Sequence, residues 1–290
     1  MAKSKGQSKV TTSVLRRSTG PKVGNGDRVG VWYSGQLLDG TPFDSNYDFS
    51  TFTPRADRSL FSFQLGAAQV IAGWDQGLAK RRLGEVVELT IPAALAYGSA
   101  GSPPSIPPDA PLRFQVELVG SVADGASKAT YPTLEQLGIQ TKAIGLTKAL
   151  LATLESSKVG LDRSDTLVGG TTADLLIGLG GNDQLTGAAG ADVLIGGKGT
   201  DTYRFTAAED SAAADGQRDS ILGFEKADRL DLSSLAAGGQ FIGSTAFSGR
   251  SGEVRFAAGL LQLDATGDGL ADLEVLIPGT KSLSSANLVF

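Results

Sequence analysis

Aspartate returns every nine residues through the middle of the chain, at Asp165, Asp174, Asp183, Asp192 and Asp201. The text around them reads Gly169-Gly-Thr-Thr-Ala-Asp174-Leu-Leu-Ile, then Gly178-Leu-Gly-Gly-Asn-Asp183-Gln-Leu-Thr. It continues Gly187-Ala-Ala-Gly-Ala-Asp192-Val-Leu-Ile and Gly196-Gly-Lys-Gly-Thr-Asp201-Thr-Tyr-Arg. Each unit is a six-residue glycine-bearing turn ending in Asp, followed by three largely apolar residues. Glycine tolerates the positive φ of a tight turn and lets backbone carbonyls crowd round an ion, while each aspartate supplies a carboxylate. The middle residues Leu167, Leu176, Leu185, Leu194 and Tyr203 fall in register and can stack inward. A flexible Gly/Ala linker has no reason to keep Asp and Leu in phase.

The residues that are missing narrow the chemistry. Histidine and cysteine are both absent, which excludes Ser-His-Asp and Cys-His nucleophiles, zinc-thiolate sites and disulfides. A bound metal must be a hard ion held by oxygen. The 290 residues suggest two domains, and charge divides accordingly, with a net of +3 over residues 1–121 and −8 over residues 122–290. The only basic cluster, Lys80-Arg81-Arg82, is short and reads as a solvated helix end, so no nucleic-acid partner is expected. No stretch approaches 18 consecutive apolar residues, and no membrane span is expected. The polar, basic start Met1-Ala-Lys-Ser-Lys lacks the apolar core of a signal peptide.

The nine-residue units resemble the RTX (repeats-in-toxin) nonapeptide, an all-β parallel β-roll with Ca²⁺ between turns. The resemblance implies structural Ca²⁺ as the cofactor. Its ligands would be Asp165, Asp174, Asp183, Asp192 and Asp201, with carbonyls of Gly169, Gly178, Gly180, Gly187, Gly196 and Gly199. Thr172 stands at a turn's third glycine, and Leu179 and Ala188 stand at its second. Stacked aspartates repel and three-residue strands are weak, so folding coupled to calcium is expected, suited to millimolar extracellular calcium. The stretch from Asp219 to Leu232 resembles the segment that follows the roll in serralysin-type proteins, and Asn287-Leu-Val-Phe290 resembles a type I secretion signal. Secretion through a type I exporter is the resulting expectation. Between two apolar runs, Asp264-Ala-Thr-Gly-Asp268-Gly-Leu-Ala-Asp272 partly matches an EF-hand loop but has Val275 at position 12. It reads as a hairpin turn, with an extra calcium site as the alternative.

The first half alternates in the strand manner at Val14–Gly20, Arg28–Tyr33, Glu85–Ile91 and Leu112–Val119, with one helical candidate from Val70 to Lys80. An antiparallel sheet wrapped on one helix, an α+β fold, is the natural assembly. The ordered strings Val31-Trp-Tyr-Ser-Gly35, Asp39-Gly-Thr-Pro-Phe-Asp-Ser45, Phe61-Ser-Phe-Gln-Leu-Gly66, Val70-Ile-Ala-Gly-Trp-Asp75, Ala96-Tyr-Gly98 and Ile106-Pro-Pro108 closely resemble the FK506-binding-protein (FKBP) family of peptidyl-prolyl cis/trans isomerases. The resemblance implies a proline cup with Trp74 as floor and Tyr33, Phe43, Phe61, Val70, Ile71, Ile106 and Phe114 around it. It implies that Asp44 orients Tyr33, and that the Tyr97 hydroxyl and the Ile71 N–H hold substrate carbonyls. Proline-containing peptides or proteins, and FK506-like macrolides, are the implied partners. Two departures stand out: Ser102 where many members carry histidine, and an insertion after Asp44 that includes Tyr47-Asp-Phe-Ser-Thr-Phe-Thr-Pro54. The insertion reads either as a substrate-contacting flap or as drift.

The expected organisation is a flexible N-terminus at 1–12, an isomerase domain at 13–121, a linker and capping helix at 122–160, a roll at 161–205 and a β-rich C-terminal region at 206–290. Thr133-Leu-Glu-Gln136 has capping-box spacing, and Ala143, Leu146, Leu150 and Leu154 form an apolar stripe on a helix running to about Ser157. The whole reads as a secreted isomerase with a calcium-binding tail. The alternative is a non-catalytic calcium-binding exoprotein or chaperone that grips proline-containing partners.

Overall fold

A computed structural model describes residues 9–214 and 216–290, which fall into two compact units divided between Gly138 and Ile139. The first unit contains β1 (Thr11–Arg16), β2 (Arg28–Leu37), β3 (Pro42–Ser45), β4 (Tyr47–Asp48), β5 (Thr53–Pro54), β6 (Phe61–Gln64), α1 (Ala72–Leu78), β7 (Val86–Ile91), β8 (Leu112–Val122) and β9 (Ala129–Thr130). Its antiparallel sheet runs β1-β7-β8-β2-β3, with β6 on β2 and β9 on β8. Strict alternation along β8 sends Leu112, Phe114, Val116 and Leu118 into the core and leaves Arg113, Gln115 and Glu117 outside it. Helix α1 seats closely on β7 because Gly73 and Gly77 face Ile91 and Leu89. A Cβ on Gly73 would lie 2.3 Å from Ile91 Cγ2.

Two boundaries differ from the sequence expectation. Thr11 and Thr12, assigned to a flexible N-terminus, pair with Thr90 and Leu89; residues 1–8 of that expectation lie outside the described residues. The supposed linker after residue 121 largely belongs to the first unit. There β9 zips onto β8, the Tyr131 ring covers Gly120, and Gln136 O accepts the Thr19 N–H at 2.8 Å. The capping box forms, with Thr133 N–H donating to Gln136 Oε1 and Gln136 N–H to Thr133 Oγ1. It heads only one 3₁₀ turn, Glu135–Leu137, because Gly138 turns left-handed at φ 93° and ends it.

The second unit contains α2 (Lys148–Leu151), β10 (Ser156–Val159), β11 (Thr166–Val168), β12 (Asp174–Gly180), β13 (Gln184–Thr186), β14 (Val193–Lys198), β15 (Thr202–Arg204), β16 (Asp219–Ile221), β17 (Arg229–Asp231), β18 (Gln240–Phe241), β19 (Glu253–Ala257), β20 (Leu260–Asp264), β21 (Leu273–Leu276) and β22 (Leu288–Val289). The expected capping helix shrinks to the four residues of α2, because Ser156–Val159 pairs in parallel with β12 and is strand rather than helix. Successive strands from β10 to β17 alternate between two sheets and pair in parallel with the strand two further on. Leu167 thus stands beside Leu185 and Leu176 beside Leu194, eighteen residues apart. Two nine-residue units therefore make one coil, and the five residues predicted to stack inward are fully buried.

The boundary expected at residue 205 is absent from the sheets. Leu194 pairs with Ile221 and Tyr203 with Leu230, so one coil on each side lengthens to twenty-seven residues before the same sheets resume. Next, β21 and β22 add to β16 and β17 in parallel, while β19, β20 and β21 form an antiparallel meander. The sheets continue because Ile221, Leu230, Val275 and Leu288 each add a buried apolar side chain to the stack.

Candidate functional site

In the first unit a cavity of about 400 Å³ is lined by Tyr33, Phe43, Asp44, Phe61, Val70, Ile71, Trp74, Tyr97, Ile106 and Phe114, together with Gln69, Ser102, Pro103 and Ser105. Strands and turns far apart in sequence bring these groups together. Tyr33 comes from β2, Phe43 and Asp44 from β3, Phe61 from the start of β6, Trp74 from α1 and Phe114 from β8. Trp74 is nearly buried, and rings surround it edge-on: Tyr33 at 5.2 Å, Phe114 at 5.2 Å and Phe61 at 6.1 Å between centroids. The wall closes because residue 35 is glycine. A Cβ there would lie 2.6 Å from the Phe114 ring and 2.8 Å from that of Phe43. The far rim is the loop after Gly101, held by reciprocal backbone hydrogen bonds between Ser102 and Ile106 at 2.8 and 2.9 Å.

The cavity has one strong polar pair. The Tyr33 hydroxyl donates to Asp44 Oδ2 at 2.6 Å. Burial first, and then the Asp44 acceptor and its charge, push the Tyr33 hydroxyl pKa well above the ordinary phenol value, so it remains a donor at any physiological pH. Arg58, from the insertion, stands 3.8 Å from the other Asp44 oxygen across exposed surface. The indole N–H of Trp74 is buried with no hydrogen-bond partner among the described residues. Tyr97 remains substantially exposed at the mouth. Chemically this is an apolar, aromatic-walled cup with a few polar atoms at its edge, suited to gripping a compact apolar group and its flanking amides.

Sequence reasoning did not single out Gln69, which contributes to the lining from just before Val70; no motif marks it. The insertion turns its aromatics away from the cavity. Tyr47 stacks on Trp32 at 5.6 Å, Phe49 packs on Tyr47 at 4.9 Å, and Tyr47, Phe49 and Phe52 are buried. Buried Asn46 ties the loop to β2, accepting from Tyr33 N–H at 2.6 Å and donating to Val31 O at 3.1 Å.

In the second unit the five phased aspartates stand on two ladders, joined to Asp219 and Asp228, which the nine-residue period did not reveal. Each backbone N–H donates to the carboxylate of the next coil: Asp165 to Asp183 and Asp183 to Asp201 at 2.8 Å, Asp174 to Asp192 at 2.7 Å. The series continues from Asp192 to Asp219 at 2.9 Å and from Asp201 to Asp228 at 3.0 Å. The second oxygens divide into two kinds. Asp165 Oδ2 accepts Leu161 N–H at 2.6 Å, and Asp174 Oδ2 accepts Gly170 N–H at 2.5 Å. Oδ2 of Asp183, Asp192, Asp201 and Asp219 is buried without a partner among the described residues. Gly169, Gly178, Gly187 and Gly196 face these carboxylates, whereas nothing lies within 4 Å of where a Cβ on Gly180 would be, and Gly199 faces the Gly181 backbone and Asn182.

Burial, the largest cause, pushes Asp183 and Asp192 up to about 7 and Asp228 to about 6, and raises Asp201 and Asp219 as well. Among the described residues no group of three or more acidic side chains gathers into a metal cluster. A cation here would therefore be held by one or two carboxylates and by turn carbonyls, the hard oxygen donors calcium takes. The Asp264–Asp272 loop behaves differently. Asp264 accepts Gly267 and Gly269 N–H groups, and Asp272 accepts those of Ala265 and Thr266, so their oxygens build a turn between β20 and β21.

Comparison with known proteins gives each unit a family match. Residues 20–119 match the family model for FKBP-type peptidyl-prolyl cis-trans isomerase, and residues 159–194 and 168–203 match that for the RTX calcium-binding nonapeptide repeat. The chain is 50% identical over 106 residues to peptidyl-prolyl cis-trans isomerase FKBP4 of Homo sapiens, covering 36% of this chain and 21% of that protein. It is 48% identical over 101 residues to FK506-binding protein 4 of Dictyostelium discoideum, covering 35% and 25%. It is 50% identical over 94 residues to peptidyl-prolyl cis-trans isomerase FKBP15-2 of Arabidopsis thaliana, covering 32% and 53%. A solved peptidyl-prolyl cis-trans isomerase from Pseudomonas syringae pv. tomato is 31% identical over 41% of this chain and 79% of that one, at a TM-score of 0.34. The chain thus carries an FKBP-type peptidyl-prolyl cis-trans isomerase domain and a run of RTX calcium-binding repeats, and spans about a fifth of the length of the first curated relatives it matches.

Proposed function

We propose that this protein is a secreted prolyl isomerase whose second unit binds calcium. The observation that supports it most is the convergence of aromatic rings on one cavity, with the Tyr33–Asp44 pair at its edge. Rotation about a peptide bond meets a barrier of roughly 18–20 kcal/mol because resonance stiffens the C–N bond. Resonance separates charge, so an apolar cup weakens it, while the twisted amide is less polar and tolerates the dry surroundings. Uncatalysed isomerisation takes ~10–100 s, and ~100 turnovers per second require roughly 5 kcal/mol of transition-state stabilisation. In this reading Trp74 supports the proline ring, the walls exclude water, Asp44 fixes Tyr33 and polarises the substrate, and Tyr97 and the Ile71 N–H hold flanking carbonyls. No nucleophile or proton transfer is required, so a chain without histidine or cysteine loses nothing. Proline-containing peptides and FK506-like macrolides are the ligands of matching shape.

The coils of the second unit are read as an RTX β-roll. Buried, unpartnered carboxylate oxygens in a glycine-lined turn fit Ca²⁺, which supplies the charge they lack when bound. Its ligands are drawn from Asp183, Asp192 and Asp201 with the turn carbonyls, and Asp165 and Asp174 join by releasing their local N–H bonds. Export by a type I system into calcium-rich surroundings follows from the repeats as an expectation. No helix among the described residues is long and apolar enough to cross a membrane.

The test follows cis-to-trans relaxation of a short X-Pro peptide by the full chain, with and without millimolar Ca²⁺. We expect clear acceleration, reduced at least tenfold by Asp44→Val and by less in Tyr97→Phe. A folded, calcium-loaded chain that accelerates nothing returns the reading to a binding module.

A further inference from the structure

The RTX model matches the chain to residue 203, yet the aspartate ladder goes one step further on each side, and the two extra steps differ. Asp228 is satisfied: its Oδ1 accepts Asp201 N–H at 3.0 Å and its Oδ2 accepts Glu225 N–H at 2.7 Å. Asp219 is not. It is fully buried, its Oδ1 accepts Asp192 N–H at 2.9 Å, and its Oδ2 has no partner among the described residues. That oxygen has company. A Cβ on Gly187 would lie 2.3 Å from Asp192 Oδ2 and 2.9 Å from Asp219 Oδ2. Two buried, unpartnered carboxylate oxygens therefore converge over one glycine.

The corresponding position one unit earlier has different nearest neighbours. Over Gly178 the neighbours are Asp183 Oδ2 and the carbonyl of Gly196, eighteen residues on. Over Gly187 no glycine carbonyl is among the nearest atoms, because the coil on this side lengthens to twenty-seven residues and Asp219 arrives instead. Here the second carboxylate is itself among the atoms nearest the glycine, and a third, Asp210 on the extra residues, adds its charge to both. Two like charges placed together in a dry interior are costly unless a cation joins them. A bulkier residue than glycine would fill the space.

We propose that Asp192 and Asp219 together hold a calcium ion over Gly187, a site outside the matched repeats that fastens the lengthened coil to the ladder. It rests on the reading that the repeats bind calcium. The remaining ligands are turn carbonyls and water, which complete the six to eight oxygens calcium takes.

Equilibrium dialysis of the full chain against radioactive Ca²⁺ separates this proposal from the reading beneath it. Asp219→Asn keeps the Asp192 N–H bond but removes the second carboxylate, and should bind one ion fewer per chain than the parent. Asp183→Asn, within the repeats, should also lose calcium, while Asp228→Asn should lose none. An undiminished count in Asp219→Asn beside a reduced one in Asp183→Asn overturns this site alone. Undiminished counts in both overturn calcium binding by the repeats as well. Should Asp219→Asn not fold, crystals of the parent chain grown with Tb³⁺ decide the matter. An anomalous peak between the Asp192 and Asp219 carboxylates is expected, and its absence beside peaks elsewhere on the ladder overturns the proposal.

Discussion

Single residues in the repeats carry strain that the glycine pattern makes visible. Leu179 and Ala188 stand where the next unit has Gly197, and all three adopt left-handed backbone, at φ 79°, 66° and 101°. An L-residue there costs roughly 1–2 kcal/mol, of which the greater chain entropy of glycine offsets about 0.5–1 kcal/mol. Ala188→Gly removes only a methyl group and should stabilise the calcium-loaded chain by about 0.5–1 kcal/mol, read as a higher urea midpoint for the second unit. An unchanged or lower midpoint would show that the turn gains more from the methyl than it loses in strain. Glycine does the opposite work at Gly35, where the space a side chain would occupy is needed by the Phe43 and Phe114 rings.

At the scale of elements, α1 brings Trp74 to the cavity and the sheet brings most of the rings around it. The helix is only seven residues long, no side-chain hydrogen bond caps its start, and its position depends on seating against β7. Gly73 and Gly77 make that seating possible. Gly73→Ala sets a methyl into Ile91, and overpacking of this kind costs about 1–3 kcal/mol. Because Trp74 is the next residue, thermal stability and peptide isomerisation should fall together. A variant that loses stability but keeps full isomerase activity would show that the placing of Trp74 does not depend on this contact. The apolar stripe at Ala143, Leu146, Leu150 and Leu154 illustrates the converse. Its periodicity is helical, but Gly145 turns at φ 81° and Ser156–Val159 is recruited by a sheet edge, so one turn of helix survives.

Across the whole molecule the two units divide the chemistry, an apolar cup in one and a stack of buried carboxylates in the other. The carboxylates make the metal-free second unit sensitive to pH in a definite direction. The unfolded chain titrates aspartate near 3.9, while burial holds the folded pKa at about 7 for Asp183 and Asp192 and about 6 for Asp228. A raised acid pKa means the folded state binds more protons across that interval, so stability is greatest on the acid side and is lost as pH rises from about 4 to about 7. Chelator-treated full chain should show more strand by far-UV circular dichroism at pH 5 than at pH 8, and millimolar Ca²⁺ should restore it at pH 8. A spectrum indifferent to both pH and calcium would contradict calcium-coupled folding.

The sequence alone determined the kind of pocket, the kind of metal donor and the inward stack. Those depend on residue types and short spacings: aromatic side chains in recognisable strings, aspartate in phase with leucine, and no histidine or cysteine. Tertiary structure decided where units begin and end, and which carboxylates lack partners. The joining of β9 to β8, the extension of the parallel sheets through β16 and β17, and the arrival of Asp219 beside Asp192 all depend on pairings across long or irregular separations. A period of nine cannot anticipate a coil of twenty-seven, because the extra residues lie outside the sheets and only the hydrogen-bonded register shows which aspartate comes next. Burial works the same way, since a carboxylate's need for a cation is set by the water the fold excludes from it.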